Sequence, residues 1–305
     1  MTSVLVTLLS LALLADPVPL PEGAPPRPIG VAAPDGTVPA PCAEAPSGMA
    51  CVPGGWFLRG SNDGPRETRP MAWVWVDTVY MDINELTTAE YQACVQARKC
   101  DKAGPKYKDY DRPQQPITGV SWFDSVKYCE VHGKHLPTEA EWEHAARGDD
   151  GRSYPWGNEE ATCKRAVIMD KSGRSCGVKK AKGGHPEKGR TWEIGKFPPT
   201  LYGLYDMCGN SWEWVYDWYS KSYEQCGDAC LGKNPRGPCD GAKDCRRHYK
   251  KIVKGGSWYW DASYATTFYR RPHVPSNNPY HHFGFRCAAS VDEAAALVQP
   301  AVTQP

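Results

Sequence analysis

Apolar and polar side chains alternate most regularly in the segment Trp73–Asp82, whose sequence is WVWVDTVYMD. Alternation with a period of two is typical of a β-strand that buries one face, so we predict a strand over these residues. A second strand-like run covers Lys251–Trp258. The pattern therefore predicts strands that are few and short.

The pattern of capped helices occurs in three segments, Thr87–Arg98, Ser121–Val131 and Pro137–Arg147. In each, a serine or threonine is followed three residues later by an aspartate or glutamate, the spacing at which the two residues cap a helix N-terminus together. Gly148 directly follows the third segment and marks its end. One face of the second helix is predicted to contain Phe123, Val126 and Cys129.

Regular patterns are scarce after Gly148, where Gly, Pro, Trp and Tyr recur throughout. A chain of this kind still needs a packed interior, and its aromatic side chains and cysteines are the groups that can supply one. We therefore predict an α+β domain that is low in regular secondary structure and braced by disulfides.

The two ends of the chain differ in composition from its middle. Val4–Ala15 is an apolar run too short to span a bilayer as a helix, and it is typical of a signal peptide cleaved after Ala15. A frayed apolar terminus is the alternative. Residues 16–46 are rich in Pro, Ala and Gly, which predicts a flexible linker, and residues 290–305 are predicted to be a flexible tail. The domain itself is predicted to span residues 47–289.

Charge and cysteine content narrow the class of protein. The formal charge is +1 and no run of one sign stands out, so the sequence offers no surface for nucleic acid or for an acidic membrane. The 13 cysteines lack the spacing of a zinc site. So many thiols favour disulfides in an oxidising compartment, which predicts export to the periplasm or the cell exterior, without a transmembrane segment once the signal is removed.

Four motifs follow one another along the chain. They are GKHLPTEAEWEHAARG with a following YPWG, YGLYDMCGNSWEWVYDWY, GGSW and GFRCA, at Gly133–Gly148 with Tyr154–Gly157, Tyr202–Tyr219, Gly255–Trp258 and Gly284–Ala288. Each is a weak signal alone, but their order and spacing resemble the formylglycine-generating-enzyme (sulfatase-modifying factor) family. The resemblance covers the chain from about Met49 to Ala288.

The resemblance implies a fold related to C-type lectins and a known chemistry. In the best-known members, two cysteines hold a copper(I) ion that activates dioxygen, and a cysteine of a sulfatase is oxidised to formylglycine. The corresponding positions here are Trp260 and Ala265, neither of which offers copper a ligand. No cysteine lies between Cys245 and Cys287, so a small alignment shift does not supply one. We therefore expect neither bound copper nor the standard reaction.

The resemblance also implies how some cysteines pair. The family joins the positions of Cys129 and Cys287, whereas a second family bridge is lost because its positions hold Ala146 and Arg270. Spacing along this chain suggests three local bridges, Cys42–Cys51, Cys94–Cys100 and Cys163–Cys176. Cys208 is then left over. Four further cysteines remain to pair among themselves, namely Cys226, Cys230, Cys239 and Cys245.

A calcium loop is a further implication of the resemblance. Its ligands would be the side chains of Asp206 and Glu213 and the carbonyls of Gly209 and Ser211. Two carboxylates and the exposed carbonyls of a glycine-containing turn suit a hard cation, and the ion would have a structural role. The alternative is a tight turn in which Glu213 pairs with an arginine.

Aromatic and imidazole side chains follow the GGSW motif, and His282 takes a position near the substrate groove of the family. We predict a ligand groove that contains Ser257, Trp260, Tyr264, His273, His281 and His282. The three histidines have two interpretations, a replacement site for copper, iron or zinc, or hydrogen bonding within an irregular loop or to a ligand. Trp258 and Trp260 are predicted to face a ligand, whereas the core is predicted to hold Trp142, Trp156, Trp212 and Trp214.

Three functions remain open at this stage. The first is an exported binding or structural module that holds a peptide, a glycan or a protein partner without catalysis. The second is a metal-dependent oxidase that uses a centre without cysteine. The third is formylglycine generation itself.

Overall fold

The computed structural model describes residues 19–179, 189–276 and 281–298. The predicted signal peptide, residues 1–15, lies outside these ranges, so it stays a prediction. The strands are β1 Met49–Val52, β2 Gly55–Arg59, β3 Ala72–Val76, β4 Val79–Asp82, β5 Trp212–Trp218, β6 Lys251–Lys254, β7 Arg271–His273, β8 Phe283–Gly284 and β9 Ala288–Ser290. The helices are α1 Thr88–Gln96, α2 Trp122–Val131, α3 Glu139–Arg147, α4 Tyr223–Cys226, α5 Asp228–Leu231 and α6 Val291–Val298.

The strands form three small sheets. One has the order β1-β4-β9, the second pairs β2 with β3, and the third has the order β7-β6-β5-β8. All pairs are antiparallel except β5 with β8. Against this third sheet pack α2 and α3, and their contact buries three tryptophans completely, Trp142, Trp212 and Trp214. The predicted α+β fold with little regular structure is confirmed.

The single strand predicted over Trp73–Asp82 is wrong, because the chain makes two strands there. β3 pairs with β2, and β4 pairs with β1 in another sheet. The change of sheet occurs at Asp77 and Thr78, where Gly54 N donates a hydrogen bond of 2.9 Å to Thr78 Oγ1. A Cβ on Gly54 would lie 2.4 Å from Thr78 N. The backbone at Gly54, between β1 and β2, therefore packs directly against the backbone at Asp77 and Thr78, and only glycine, which has no Cβ, allows this approach.

The helix starts follow the predicted caps. Capping boxes join Thr87 to Glu90 in front of α1, Ser121 to Asp124 in front of α2 and Thr138 to Glu141 in front of α3. Of the residues predicted to share one face of α2, Cys129 is fully buried, whereas Phe123 is 48% exposed and its neighbour Trp122 is buried instead. The indole of Trp122 donates to Val215 O at 3.0 Å, which fixes this face of α2 against β5.

The predicted flexible ends are shorter than expected. From residue 19 onwards the linker lies across β2 and β3, where indole N–H groups of Trp56, Trp73 and Trp75 donate to carbonyls of Ala32, Pro25 and Val31 at 2.9–3.0 Å. The tail predicted from Ser290 instead continues into α6, whose Ala294 is buried. Both corrections have one cause, since tertiary contacts order segments whose composition alone suggests flexibility.

Twelve of the 13 cysteines form disulfides. Cys129 and Cys287 form the long-range bridge that the resemblance implied, and the three local bridges are those that spacing suggested. The other four cysteines pair as Cys226–Cys230 and Cys239–Cys245, which leaves Cys208 as a buried free thiol. Among the described helices, none combines the length and apolar character that crossing a bilayer requires.

A buried cluster of charges ties α3 to the strands. The carboxylate of Glu139 accepts hydrogen bonds from Arg59 at 2.7 Å and from Arg270 at 2.6 and 2.9 Å, and Lys254 Nζ lies 3.7 Å away. Burial by itself would raise the pKa of Glu139, but Arg270, Arg59 and Lys254 outweigh it and lower this pKa to about 2. Arg270 stands where the resemblance implies one half of a bridge that this chain lacks, and here that position is held by ionic contacts.

Candidate functional site

Trp260 and Ala265 lie in the irregular loop between β6 and β7. Asp261 caps a short 3-10 turn at Ala262–Ala265. Ala265 has no exposed surface, and a Cβ on Gly256 would lie 2.9 Å from its methyl group. Trp260 is partly exposed. The two positions therefore present a buried methyl group and an indole, and neither fits a copper ion.

Partly exposed aromatic rings continue from Trp260 along this loop. The centroid of Trp260 lies 5.0 Å from that of Tyr259 and 5.1 Å from that of Tyr264, and Tyr264 lies 5.0 Å from Tyr269. We call these four rings (Tyr259, Trp260, Tyr264 and Tyr269) the aromatic row. All four rings are partly exposed and in mutual contact, so they form an apolar strip that solvent reaches in part.

Two guanidinium groups flank the aromatic row. Arg174 lies 3.5 Å from the ring centroid of Tyr259, and Arg271 lies 4.5 Å from that of Trp260. Such cation–π contacts hold each arginine over a ring face. Arg174, Tyr259 and Tyr269 were not predicted from the sequence. Tyr259 adjoins Trp260 in the chain and could have been included, whereas Arg174 comes from a distant loop.

The structure brings together only part of the predicted ligand groove. Ser257 is fully buried, and so is Trp258, which was predicted to face a ligand. His281 and His282 are only 6% and 8% exposed, and Trp258 lies 5.0 Å from the ring of His282. Trp260 and Tyr264 of the predicted set belong to the aromatic row, and His282 adjoins it, with its ring 4.9 Å from that of Tyr259.

The three histidines do not converge on one point. The rings of His281 and His282 lie 4.3 Å apart, but His273 packs against Phe283 at 4.5 Å and against Trp214 at 5.9 Å. Burial lowers the pKa of His273. Within residues 19–179, 189–276 and 281–298, no group of three His, Cys, Asp or Glu side chains is arranged to hold a metal ion. Nothing in this geometry favours the replacement metal site.

The one free thiol offers no alternative ligand. Cys208 is 4% exposed and belongs to an apolar cluster with Ala262 and Ala265. Burial raises the pKa of this thiol far above its ordinary value, with a smaller contribution from Asp206. Because this thiol is buried among apolar side chains, it is not presented to the surface as a ligand.

The predicted calcium loop forms the turn before β5. Asp206 and Asn210 adopt left-handed backbone angles, with φ of 56° and 57°. However, both oxygens of Glu213 accept hydrogen bonds from Arg286, at 2.7 and 2.8 Å, and one also accepts from Trp142 at 2.8 Å. Asp206 accepts from Gly195 N at 2.7 Å. Both side-chain ligands are thus engaged, as in the alternative that paired Glu213 with an arginine.

Glu85 organises the same turn and was missed by the sequence analysis. Its two carboxyl oxygens accept from Asn210 Nδ2 at 2.6 Å and from Ser211 N at 2.9 Å. Burial raises the pKa of Glu85 well above its ordinary value, and the nearby carboxylates Asp206 and Glu213 raise it further. Because Glu85 lies more than 100 residues before the turn, no local pattern connects them.

Comparison with known proteins supports the resemblance. The sequence matches the family described as sulfatase-modifying factor enzyme 1-like domain over residues 35–291. It is 37% identical over 195 residues to the formylglycine-generating enzyme of Thermomonospora curvata, covering 61% of this chain and 59% of that enzyme. Over 198 residues it is 32% identical to the inactive C-alpha-formylglycine-generating enzyme 2 of Mus musculus, covering 62% and 53%. The chain thus spans less than two thirds of each relative's length.

A solved structure supports the fold. The chain is similar to PvdO from Pseudomonas aeruginosa, with a TM-score of 0.62 and 23% identity, over 80% of this chain and 94% of that one. At this identity the likeness concerns the architecture alone. The fold prediction and the predicted family resemblance are confirmed together.

Proposed function

Because this chain belongs to the sulfatase-modifying factor family, we propose that it is an exported binding module without formylglycine-generating activity. The observation that carries the proposal is the pair Trp260 and Ala265 at the positions where the family presents two cysteines to copper. An indole and a fully buried methyl group supply no soft ligand. The existence of a relative named as inactive supports the idea that the fold persists without the reaction.

The aromatic row is the surface that we propose binds the partner. Four partly exposed rings in sequence, with Arg174 over Tyr259 and Arg271 over Trp260, suit an extended peptide, a glycan or a loop of a protein partner. Export is proposed from the six disulfides, which are typical of proteins made for oxidising compartments. The second candidate, an oxidase with a centre without cysteine, has no supporting observation in the described residues.

The proposed absence of the reaction is tested on the purified protein. We expect less than 0.1 equivalent of copper after incubation with copper(I), and no aldehyde in a cysteine-containing sulfatase peptide after aerobic incubation, as followed by mass spectrometry. The reason is that an indole and a methyl group replace the thiolates. A family enzyme with both cysteines is the positive control. Stoichiometric copper or peptide aldehyde would contradict the proposal.

Restoring the sulfur pair should restore the metal. In the variant W260C/A265C we expect about one equivalent of tightly bound copper(I), because two thiolates at these positions recreate the ligand type that this ion prefers. The matched control W260S/A265S removes the same indole without adding sulfur and should bind none. Equal copper binding by both variants would mean that the metal is held elsewhere.

We further propose that the loop from Asp206 to Glu213 binds calcium in a structural role. Its carboxylates and left-handed turn support the proposal, whereas the pairing of Glu213 with Arg286 opposes it. A ligand at 100 times its Kd stabilises the folded state by about 2.7 kcal/mol, so the melting temperature should rise by several degrees in calcium relative to EDTA. D206A should lose this rise. Identical melting temperatures in calcium and in EDTA would mean that the loop binds no calcium and that Glu213 is paired with Arg286 instead.

A further inference from the structure

A wide cleft lies away from the aromatic row. It has a volume of about 860 Å³, which is within the range of small-molecule sites. Its lining includes three long cationic side chains, an imidazole and two phenol rings, namely Lys221, Arg247, Lys250, His248, Tyr219 and Tyr249. Among the residues that the structure describes, no aspartate or glutamate lines it.

The cations of this cleft are not neutralised internally. In the described part of the chain, no carboxylate lies within ion-pair distance of Lys221, Arg247 or Lys250. By contrast, nearby Lys233 pairs with Asp35 at 2.8 Å. Cationic side chains that converge on a concave surface without acidic partners raise the local concentration of anions.

Hydrogen bonds and disulfides hold the walls of the cleft in place. The Cys226–Cys230 and Cys239–Cys245 bridges brace it, and Cys226 and Cys239 are part of the lining. His248 Nδ1 lies 2.9 Å from Tyr219 O, so this nitrogen carries the proton that it donates to the carbonyl. Its Nε2 is left to serve a ligand. A preformed wall of this kind lowers the entropic cost of binding.

Strand β7 separates the cleft from the aromatic row. Pro272 lines the cleft, whereas its neighbour Arg271 lies over Trp260 of the row. Successive residues of a strand point to opposite faces, so the two surfaces lie on either side of β7. The cleft is therefore a site of its own, independent of the binding surface proposed above.

We propose that this cleft binds an anionic saccharide, one whose sugar rings carry carboxylate or sulfate groups. Tyr249, which is 69% exposed, and Tyr219 offer ring faces on which sugar rings can stack. Arg247 and Lys250 bind the anionic groups, for which the arginine fork is well suited. Ser220 and Gln225, also in the lining, can exchange hydrogen bonds with the sugar hydroxyls.

The test is a binding titration of the full chain at 150 mM salt with three labelled tetrasaccharides. One carries sulfates, one is a polyuronate and one is neutral. We expect binding of at least one anionic probe, and a Kd at least tenfold weaker for the neutral one. The sulfated and uronate arms identify which anion the cleft prefers. No binding of either anionic probe, or equal binding of the neutral one, would overturn the proposal.

Charge-removing variants locate the site. R247Q/K250Q should weaken binding of the anionic probe by about 10- to 100-fold, since each tenfold step corresponds to 1.4 kcal/mol. The matched control R98Q/K99Q removes an exposed Arg-Lys pair that does not line the cleft, and Arg98 shares the left-handed backbone of Arg247, with φ of 59° against 71°. Equal weakening by the two double variants would refute the assignment.

An acidic peptide completes the test. A tetraglutamate peptide should bind at least tenfold more weakly than the anionic saccharide, because it offers no sugar ring to Tyr219 and Tyr249. Removing the exposed ring in Y249A should lower the affinity for the saccharide and leave the affinity for the peptide unchanged. If the peptide binds as tightly as the saccharide, the ligand class is wrong. Unchanged melting temperatures of all variants show that the fold is intact.

Discussion

Removal of the Cys129–Cys287 bridge by alanine substitution at both positions should lower the free energy of unfolding by about 5 kcal/mol. The bridge closes a loop of 158 residues, and in the chain-entropy relation the cost of opening a loop in the unfolded state grows with its length. Both cysteines are fully buried, so alanine avoids an unsatisfied hydroxyl group. The measurement is chemical denaturation of the variant beside the unmodified protein.

A second bridge provides the matched control. Cys94–Cys100 is also buried, but it spans only 6 residues, for which the same relation gives about 2 kcal/mol. Double alanine substitution there removes the same atoms and a much shorter loop. If the two variants lose the same free energy of unfolding, loop length does not determine how much the long bridge stabilises the protein.

The second large effect is expected at Glu139. Replacing its carboxylate with the amide in E139Q leaves Arg59 and Arg270 buried without their paired carboxylate, whereas Lys254 keeps Glu143 at 3.1 Å. Breaking a buried ion pair from one side costs about 3–5 kcal/mol, so the free energy of unfolding at neutral pH should fall by about that amount. The exposed pair Lys127–Asp101 serves as the control, and D101N should cost less than about 1 kcal/mol.

The pH dependence of this effect has a defined sign. The folded protein lowers the pKa of Glu139 from 4.5 to about 2, with burial opposing and Arg270, Arg59 and Lys254 prevailing. The stability that the carboxylate contributes is therefore fully present above pH 4.5 and is lost as pH falls through about 2. The difference in free energy of unfolding between the unmodified protein and E139Q should therefore become smaller as the pH falls over this interval. A difference that does not change with pH would show that the shape of the Glu139 side chain, and not its charge, stabilises the fold.

Features that depend on neighbouring residues could be predicted from the sequence. The capping boxes at Thr87, Ser121 and Thr138 form as expected, because donor and acceptor lie within three residues of each other. The break between β3 and β4 could not be predicted, since it depends on the distant Gly54 packing against Thr78. Likewise, the composition of residues 19–46 does not reveal that three indole groups need its carbonyls.

The candidate site also has features that could be predicted from the sequence and features that could not. The family motifs identified the positions of Trp260 and Ala265, and adjacency placed Tyr264 near them. The exposure of each side chain was harder to predict. In the sequence Trp258 and Ser257 are equally suited to a groove, but in the folded chain packing buries them completely. The role of Glu85 in the turn before β5 depends on contacts more than 100 residues away. Chemical type can be inferred from the sequence, whereas orientation requires the folded chain.

The spacing of the bridges has a consequence for biosynthesis. Five of them join cysteines separated by 4 to 13 residues, and one joins cysteines 158 residues apart. Short segments bring their ends together at little entropic cost, so each local pair can oxidise as its own part of the nascent chain emerges. Cys129 alone must wait until the 158 residues up to Cys287 have been made. Oxidative maturation is therefore expected to depend on a thiol isomerase chiefly at this long-range bridge.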